Sequence, residues 1–138
     1  MMAIENPSRE EIAAILKKAK RIAVVGLSNN PAKASYQVSE VMQKAGYEII
    51  PVNPAVDEVL GVKAVASLKD IKGHVDIVNV FRRSEQLFDV AKEFDEMDAD
   101  VYWAQLGLAN EEAYQFLKQK GYTVVMDLCI KIEYAMTR

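Results

Sequence analysis

Residues 21–37, RIAVVGLSNNPAKASYQ, run from an apolar, β-branched stretch through a polar loop into the start of an amphipathic pattern. Ile22 to Val25 show no polar alternation, the mark of a strand buried on both faces of a parallel sheet, and Gly26 stops the run. Val38, Val41, Met42 and Ala45 then recur at helical spacing, so a helix is expected from about Ser35, ended by Gly46 in the left-handed conformation. Strand, loop and helix in this order form the first half of a βαβ unit, and the loop decides what such a unit can hold.

A loop that feeds a helix amino terminus presents unpaired N–H groups and the positive end of the helix dipole, a combination that favours phosphate. Ser28, Asn29 and Ser35 add side-chain donors here, and Lys33 adds a full charge. Gly26 is the sole glycine of the loop, so the G-x-G-x-x-G fingerprint of dinucleotide sites is absent, as is the Gly-Lys-Ser/Thr ending of a Walker loop. A plain polar βα connection accounts for the same turn residues and stays open at this point.

Outward from this stretch, the pattern repeats. Upstream, Ser8 and Glu11 form a capping box before Ile12, Ile15, Leu16 and Ala19, which predicts a helix over 8–20. Downstream, YEIIPV at 47–52 reads as a strand broken by Asn53-Pro54. Residues 53–74 are expected as a long connection with a turn at Gly61 and a short helix at 67–71. VDIVNVF at 75–81 is a third strand, and Ser84 is expected to cap the helix that carries Leu87, Phe88, Ala91 and Phe94. DVYWAQ at 100–105 and YTVVM at 122–126 complete the strands; the helix between them opens at Asn110 and ends at Gly121, and a last short helix follows Cys129. Strands and helices thus alternate five times, which predicts an α/β fold. It is a single Rossmann-like doubly wound domain over 1–138, with about five mostly parallel strands flanked by helices.

Composition narrows the function. The formal charge of −3, with charged residues of both signs interspersed, lacks the basic stripe that nucleic acid demands. Cys129 is the single cysteine, which rules out an intrachain disulfide and a multi-cysteine metal site and suits a reducing, cytoplasmic setting. No stretch reaches the ~20 apolar residues of a membrane span, and MMAIENPSREEI contains no apolar export core.

In open parallel sheets ligands gather at the carboxyl ends of the strands. At the second such end, Asn53-Pro54 stands where nicotinamide enzymes place an acid on the ribose. At the third, Phe81-Arg82-Arg83 offers two guanidinium forks suited to phosphate, although a solvated pair beside Ser84 is an equal reading. At the fourth, Gln105-Leu106-Gly107 supplies an amide and a glycine that permits close approach. His74, the single histidine, precedes the third strand and falls at the opposite edge as a surface turn residue. No Ser-His-Asp, Cys-His or paired-carboxylate arrangement identifies a catalytic centre, and no metal site is expected.

Five stretches, VVGLSNNPAKASY, GYEIIPVNP, VDIVNVFRRSE, VYWAQLGLANEEA and GYTVVMDLCIKIEY, resemble in order the small stand-alone coenzyme A-binding proteins. These are related to the amino-terminal CoA-binding domain of the succinyl-CoA synthetase α subunit. Leu128 departs from the pattern, which often has Arg before the cysteine. The resemblance implies that CoA or an acyl-CoA is bound through Gly26, Ser28, Asn29, Lys33 and Ser35 around phosphate and Asn53 and Pro54 beside the nucleotide. Phe81, Arg82, Gln105 and Gly107 would contribute from the third and fourth strand ends. It implies a binding or regulatory module rather than a self-sufficient enzyme, compatible with a protein partner or a homo-oligomer. The alternative is a small NAD(P)- or nucleotide-dependent enzyme on the same fold. Cys129 is either a small buried apolar group or a thiol that exchanges with that of CoA.

Overall fold

The computed structural model describes residues 4–137. Helix α1 (Arg9–Lys18) starts on the expected capping box: Ser8 Oγ accepts from the Glu11 N–H, and Glu11 Oε1 accepts from the Ser8 N–H, both at 3.2 Å. Strand β1 (Arg21–Val25), helix α2 (Ala34–Lys44) and strand β2 (Glu48–Val52) follow. Two short strands, β3 (Glu58–Val59) and β4 (Val62–Lys63), then precede β5 (Val75–Val80), α3 (Leu87–Asp95) and β6 (Ala99–Ala104). Helix α4 (Glu111–Gln119), strand β7 (Thr123–Val125) and helix α5 (Ile130–Met136) close the chain.

The main sheet has five strands in the order β2-β1-β5-β6-β7, and every pair is parallel. Because side chains alternate across each strand, the sheet divides the core in two. Ala23, Val25, Val78, Val80 and Tyr102 face α3 and α4, together with Phe94 and Leu117. Ile22, Val24, Ile77 and Trp103 lie on the other face with Leu16 of α1, Met42 of α2 and Ile130 of α5. The strand order reverses between β1 and β5, which opens a crevice at their carboxyl ends. No helix of the described residues is long and apolar enough to cross a membrane.

Two expectations need correction. The connection after β2 holds a β3–β4 hairpin turning on Leu60 and Gly61, both with positive φ, as a two-residue hairpin turn requires. Val65 then pairs with Val52 and covers the outer edge of β2. Strands of two residues are too short to show a period, so the sequence pattern misses them. Ser84, expected as a helix cap, instead spans two loops: its Oγ accepts from the Ala109 N–H at 3.1 Å, and its carbonyl accepts from Asn110 Nδ2 at 2.9 Å. A 3-10 turn over Ser84–Gln86 leads into α3 in its place. A serine at a strand end can bond residues far along the chain, and here that option wins over the local cap.

Candidate functional site

The sheet ladder continues past the strand ends and aligns the candidate residues. The Gly26 N–H donates to the Val52 carbonyl at 2.8 Å, that of Phe81 to Val25 at 2.8 Å, that of Gln105 to Val80 at 3.2 Å and that of Asp127 to Ala104 at 3.1 Å. Asn53, Gly26, Phe81, Gln105 and Asp127 therefore stand side by side along one edge. Gly26 has φ +86°, and a Cβ there would overlap the Phe81 carbonyl oxygen and lie 3.6 Å from Arg82 Cζ. Glycine is required at this point because the two walls of the crevice touch.

Short polar turns shape the loop after Gly26. The Ser28 N–H donates to Ser35 Oγ, Ser28 Oγ accepts from the Asn30 N–H, and Asn30 Oδ1 accepts from the Ala32 N–H, each at 3.0 Å. Both serine hydroxyls accept in these bonds and keep their protons for another acceptor. Asn53 ties the second edge to the first: Nδ2 donates to the Leu27 carbonyl at 3.1 Å while Oδ1 accepts from the Ala55 N–H at 2.9 Å. Pro54, Asn29 and Lys33 are exposed at the mouth. Lys33 holds the N-cap position of helix α2 and makes no side-chain cap, and the first turn carries no acid, so the positive end of the helix is left uncompensated.

Cations gather at this edge, where the carboxylate of Asp127 is engaged by the Gly107 N–H. Among the described residues Lys33, Arg82 and Arg83 have no carboxylate partner; the ion pairs lie on other parts of the surface. Arg82 and Arg83 themselves line an open hollow of about 470 Å³, a chamber whose remaining wall is mostly apolar, with Val38, Phe81, Leu108 and Cys129. Its volume falls in the range of small-ligand sites.

Gln105 is buried against the chamber, and its Oε1 accepts from the Ile130 N–H at 3.3 Å and from Asn79 Nδ2 at 3.2 Å. A backbone N–H can only donate, so the inner atom is the oxygen and Nε2 is turned outward. That Nε2 has no hydrogen-bond partner among the described residues. Gly107, with φ +85°, gives its N–H to Asp127 Oδ1 at 2.7 Å, so this amide is already engaged. Cys129 is a buried free thiol in the chamber wall.

The apolar walls Val38 and Leu108 and the buried Asn79 were not among the expected site residues. Asn79 carried a readable signal, a polar residue inside the otherwise apolar end of VDIVNVF. His74 sits at the far, amino-terminal edge as expected, but within a carboxylate cluster: Nδ1 lies 2.8 Å from Asp98, and Nε2 lies 2.9 Å from Asp100. Asp76 is 3.6 Å from the same ring. A proton on each ring nitrogen satisfies this cluster without a metal ion.

Comparison with known proteins shows the family and the fold. Residues 20–135 match the family model described as the CoA binding domain. The uncharacterized protein YneT of Bacillus subtilis (strain 168) is 67% identical over 135 residues, covering 98% of this chain and all of that one. A solved structure from Thermus thermophilus superposes with a TM-score of 0.92 at 35% identity, covering 96% of this chain and 100% of that one. The α subunit of an ADP-forming acetate–CoA ligase of Pyrococcus furiosus is 46% identical over 57 residues, which are 41% of this chain and 12% of the subunit. The chain belongs to the CoA binding domain family.

Proposed function

We propose that this member of the family is a binding module that holds coenzyme A or an acyl-CoA across the carboxyl edge of its sheet. It would act as a single-domain carrier or regulator rather than as a complete enzyme. The observation that carries the reading is the group of Lys33, Arg82 and Arg83, unpaired beside an uncapped helix start in a chain of net charge −3. An acidic protein holds a polyanion only through a locally positive site, and unpaired cations left at a crevice are what such a ligand neutralises. In this reading Gly26, Ser28, Asn29, Lys33 and Ser35 surround phosphate, and Asn53 and Pro54 flank the nucleotide. Phe81, Arg82, Gln105 and Gly107 border the rest of the ligand. The free Cys129 thiol fits a reducing, cytoplasmic setting.

Thermal unfolding with CoA, acetyl-CoA, NAD, NADP and ATP tests the proposal, since a ligand of the native state raises the midpoint by mass action. CoA or acetyl-CoA should raise it and the nicotinamide dinucleotides should leave it in place. Stabilisation by NAD or NADP with none by CoA would overturn the proposal in favour of a dinucleotide enzyme.

A further inference from the structure

Two stretches of chain bring four ionisable side chains together at the amino-terminal edge of the sheet. Val75 pairs with Ala99 and Ile77 with Val101, so His74 and Asp76 come beside Asp98 and Asp100. Three carboxylates thus surround one imidazole, and carboxylates that face each other across strands repel. Each group is held in a definite pose. Asp98 Oδ1 lies 2.8 Å from His74 Nδ1, and this turns Nε2 toward Asp100 and Asp76. The Lys20 and Arg21 N–H groups donate to Asp76 Oδ2, which leaves Oδ1 to face the ring. The nearby cations do not offset the excess of acids: the Arg21 side chain is spent on Glu48 and on the carbonyls of Lys72 and His74. Lys18 borders the same place without an ion pair to these carboxylates among the described residues.

We propose that His74 Nε2, Asp76 Oδ1 and Asp100 Oδ2 form a binding site for a divalent transition-metal ion of the zinc type, with Asp98 as the positioning residue behind the imidazole. The three ligand atoms lie within 4.8 Å of one another. Ligands held about 2.1 Å from a tetrahedral ion stand roughly 3.4 Å apart, and the ring nitrogen is 2.9 Å from Asp100 and 3.6 Å from Asp76. The ion takes the place of the Nε2 proton and brings a divalent charge to the same two carboxylates. A histidine oriented from behind by a carboxylate, which fixes its tautomer and raises its basicity, distinguishes this group from a bare cluster of acids. The imidazole favours zinc over magnesium or calcium, which take oxygen ligands. Asp76 and Asp100 also line a hollow of about 270 Å³, from which water can complete the coordination. The site stands at the edge of the sheet opposite the phosphate loop and does not rest on the CoA reading.

Titration calorimetry of zinc chloride into the metal-free full chain, near neutral pH in buffer without chelator, should give one site per chain, and magnesium chloride should bind far more weakly. His74 is the single histidine, so its imidazole nitrogen resonances report the site directly: one equivalent of zinc should shift Nε2 and leave the proton on Nδ1. Asp98→Asn should weaken zinc binding by about tenfold. Asp100→Asn removes a ligand and should weaken it further, and zinc should then no longer raise the midpoint of thermal unfolding as it does for the wild type. Both positions are exposed, and melting of the metal-free variants by circular dichroism checks that they fold. Zinc bound with unchanged affinity by folded Asp100→Asn, or His74 resonances that stay in place while zinc binds, would put the metal elsewhere and overturn the proposal. Absence of zinc binding by the wild type would overturn it as well, and each of these results leaves the CoA reading standing.

Discussion

The two edges of the sheet treat charge in opposite ways. At the amino-terminal edge Arg21, His74 and Asp76 are all engaged in holding strands together. Arg21 Nε pairs with Glu48 at 3.2 Å while its Nη1 donates to the carbonyls of His74 at 2.7 Å and Lys72 at 3.2 Å. Asp76 Oδ2 accepts the Lys20 and Arg21 N–H groups at 2.8 and 2.9 Å, and His74 bridges Asp98 and Asp100. At the carboxyl edge Lys33, Arg82 and Arg83 have no carboxylate partner among the described residues, and α2 starts uncapped. Concavity does not make this distinction, because a hollow of about 370 Å³ with Lys20, Tyr47 and Tyr134 in its lining also lies near the start of β1. One edge spends its charges on holding strands together, and the other keeps them available.

The sharpest test of this contrast is steric. Gly26→Ala combines a left-handed backbone, worth about 1–2 kcal/mol for a residue with a Cβ, with overlap of the Phe81 carbonyl across the crevice. Together these should cost about 3 kcal/mol or more and lower the midpoint of thermal unfolding by about 10 °C. Gly121→Ala is the control: φ is +89° but no atom lies within 4 Å of the added carbon, so only the backbone cost of about 1–2 kcal/mol applies. Equal losses for the two variants, by circular dichroism melting, would mean that β1 and β5 are not held in close contact at the crevice.

A pair of arginines tests the charge contrast directly. Arg82→Ala should weaken CoA binding by about 10- to 100-fold, the worth of hydrogen bonds to a charged group, and leave the stability of the free protein unchanged. Arg21→Ala should do the reverse, with CoA affinity retained and a loss of about 1 kcal/mol on chemical unfolding, because its partners are two carbonyls and Glu48. If both variants lost stability and neither lost affinity, Arg82 would belong to the structural set and the two edges would not differ in kind.

Much of the carboxyl edge was legible in the sequence, because five apolar runs each end in small or polar residues and a parallel sheet brings those ends together. Gly26, Asn53, Phe81 and Gln105 fall beside one another for that reason alone. Their individual duties were less legible. Asn53 and Gly107 spend hydrogen-bonding groups on Leu27, Ala55 and Asp127, partners set by loop geometry that no period encodes. The chamber could not be read either, since Val38, Leu108 and Cys129 come from three separate segments and look like ordinary core positions. The β3–β4 hairpin was hidden by its shortness, and Ser84 by its choice of a distant partner over a nearby helix.

The amino-terminal edge carries the smallest expected effect, and its sign can be worked out for each group. Hydrogen bonds to Asp98 first and Asp100 second raise the pKa of His74 above its ordinary value, against a small opposing effect of burial. The folded state thus prefers the imidazolium, and the resulting stability is complete below the unfolded pKa of about 6.5 and is lost as pH rises through the raised folded value. Asp76 behaves oppositely. Burial pushes its carboxyl up, but the Arg21 and Lys20 N–H groups and the charge of His74 outweigh this and hold it below the ordinary value. Its contribution is present above an unfolded pKa of about 3.9 and is lost as pH falls through the depressed folded value. The His74 side chain is 40% exposed, so solvent screening keeps its share under about 1 kcal/mol. Chemical unfolding at pH 6 and pH 8.5 should show the wild type slightly less stable at the higher pH, and His74→Asn should flatten that slope. A slope unchanged in His74→Asn would assign the alkaline loss to another group and detach His74 from the network that closes this edge.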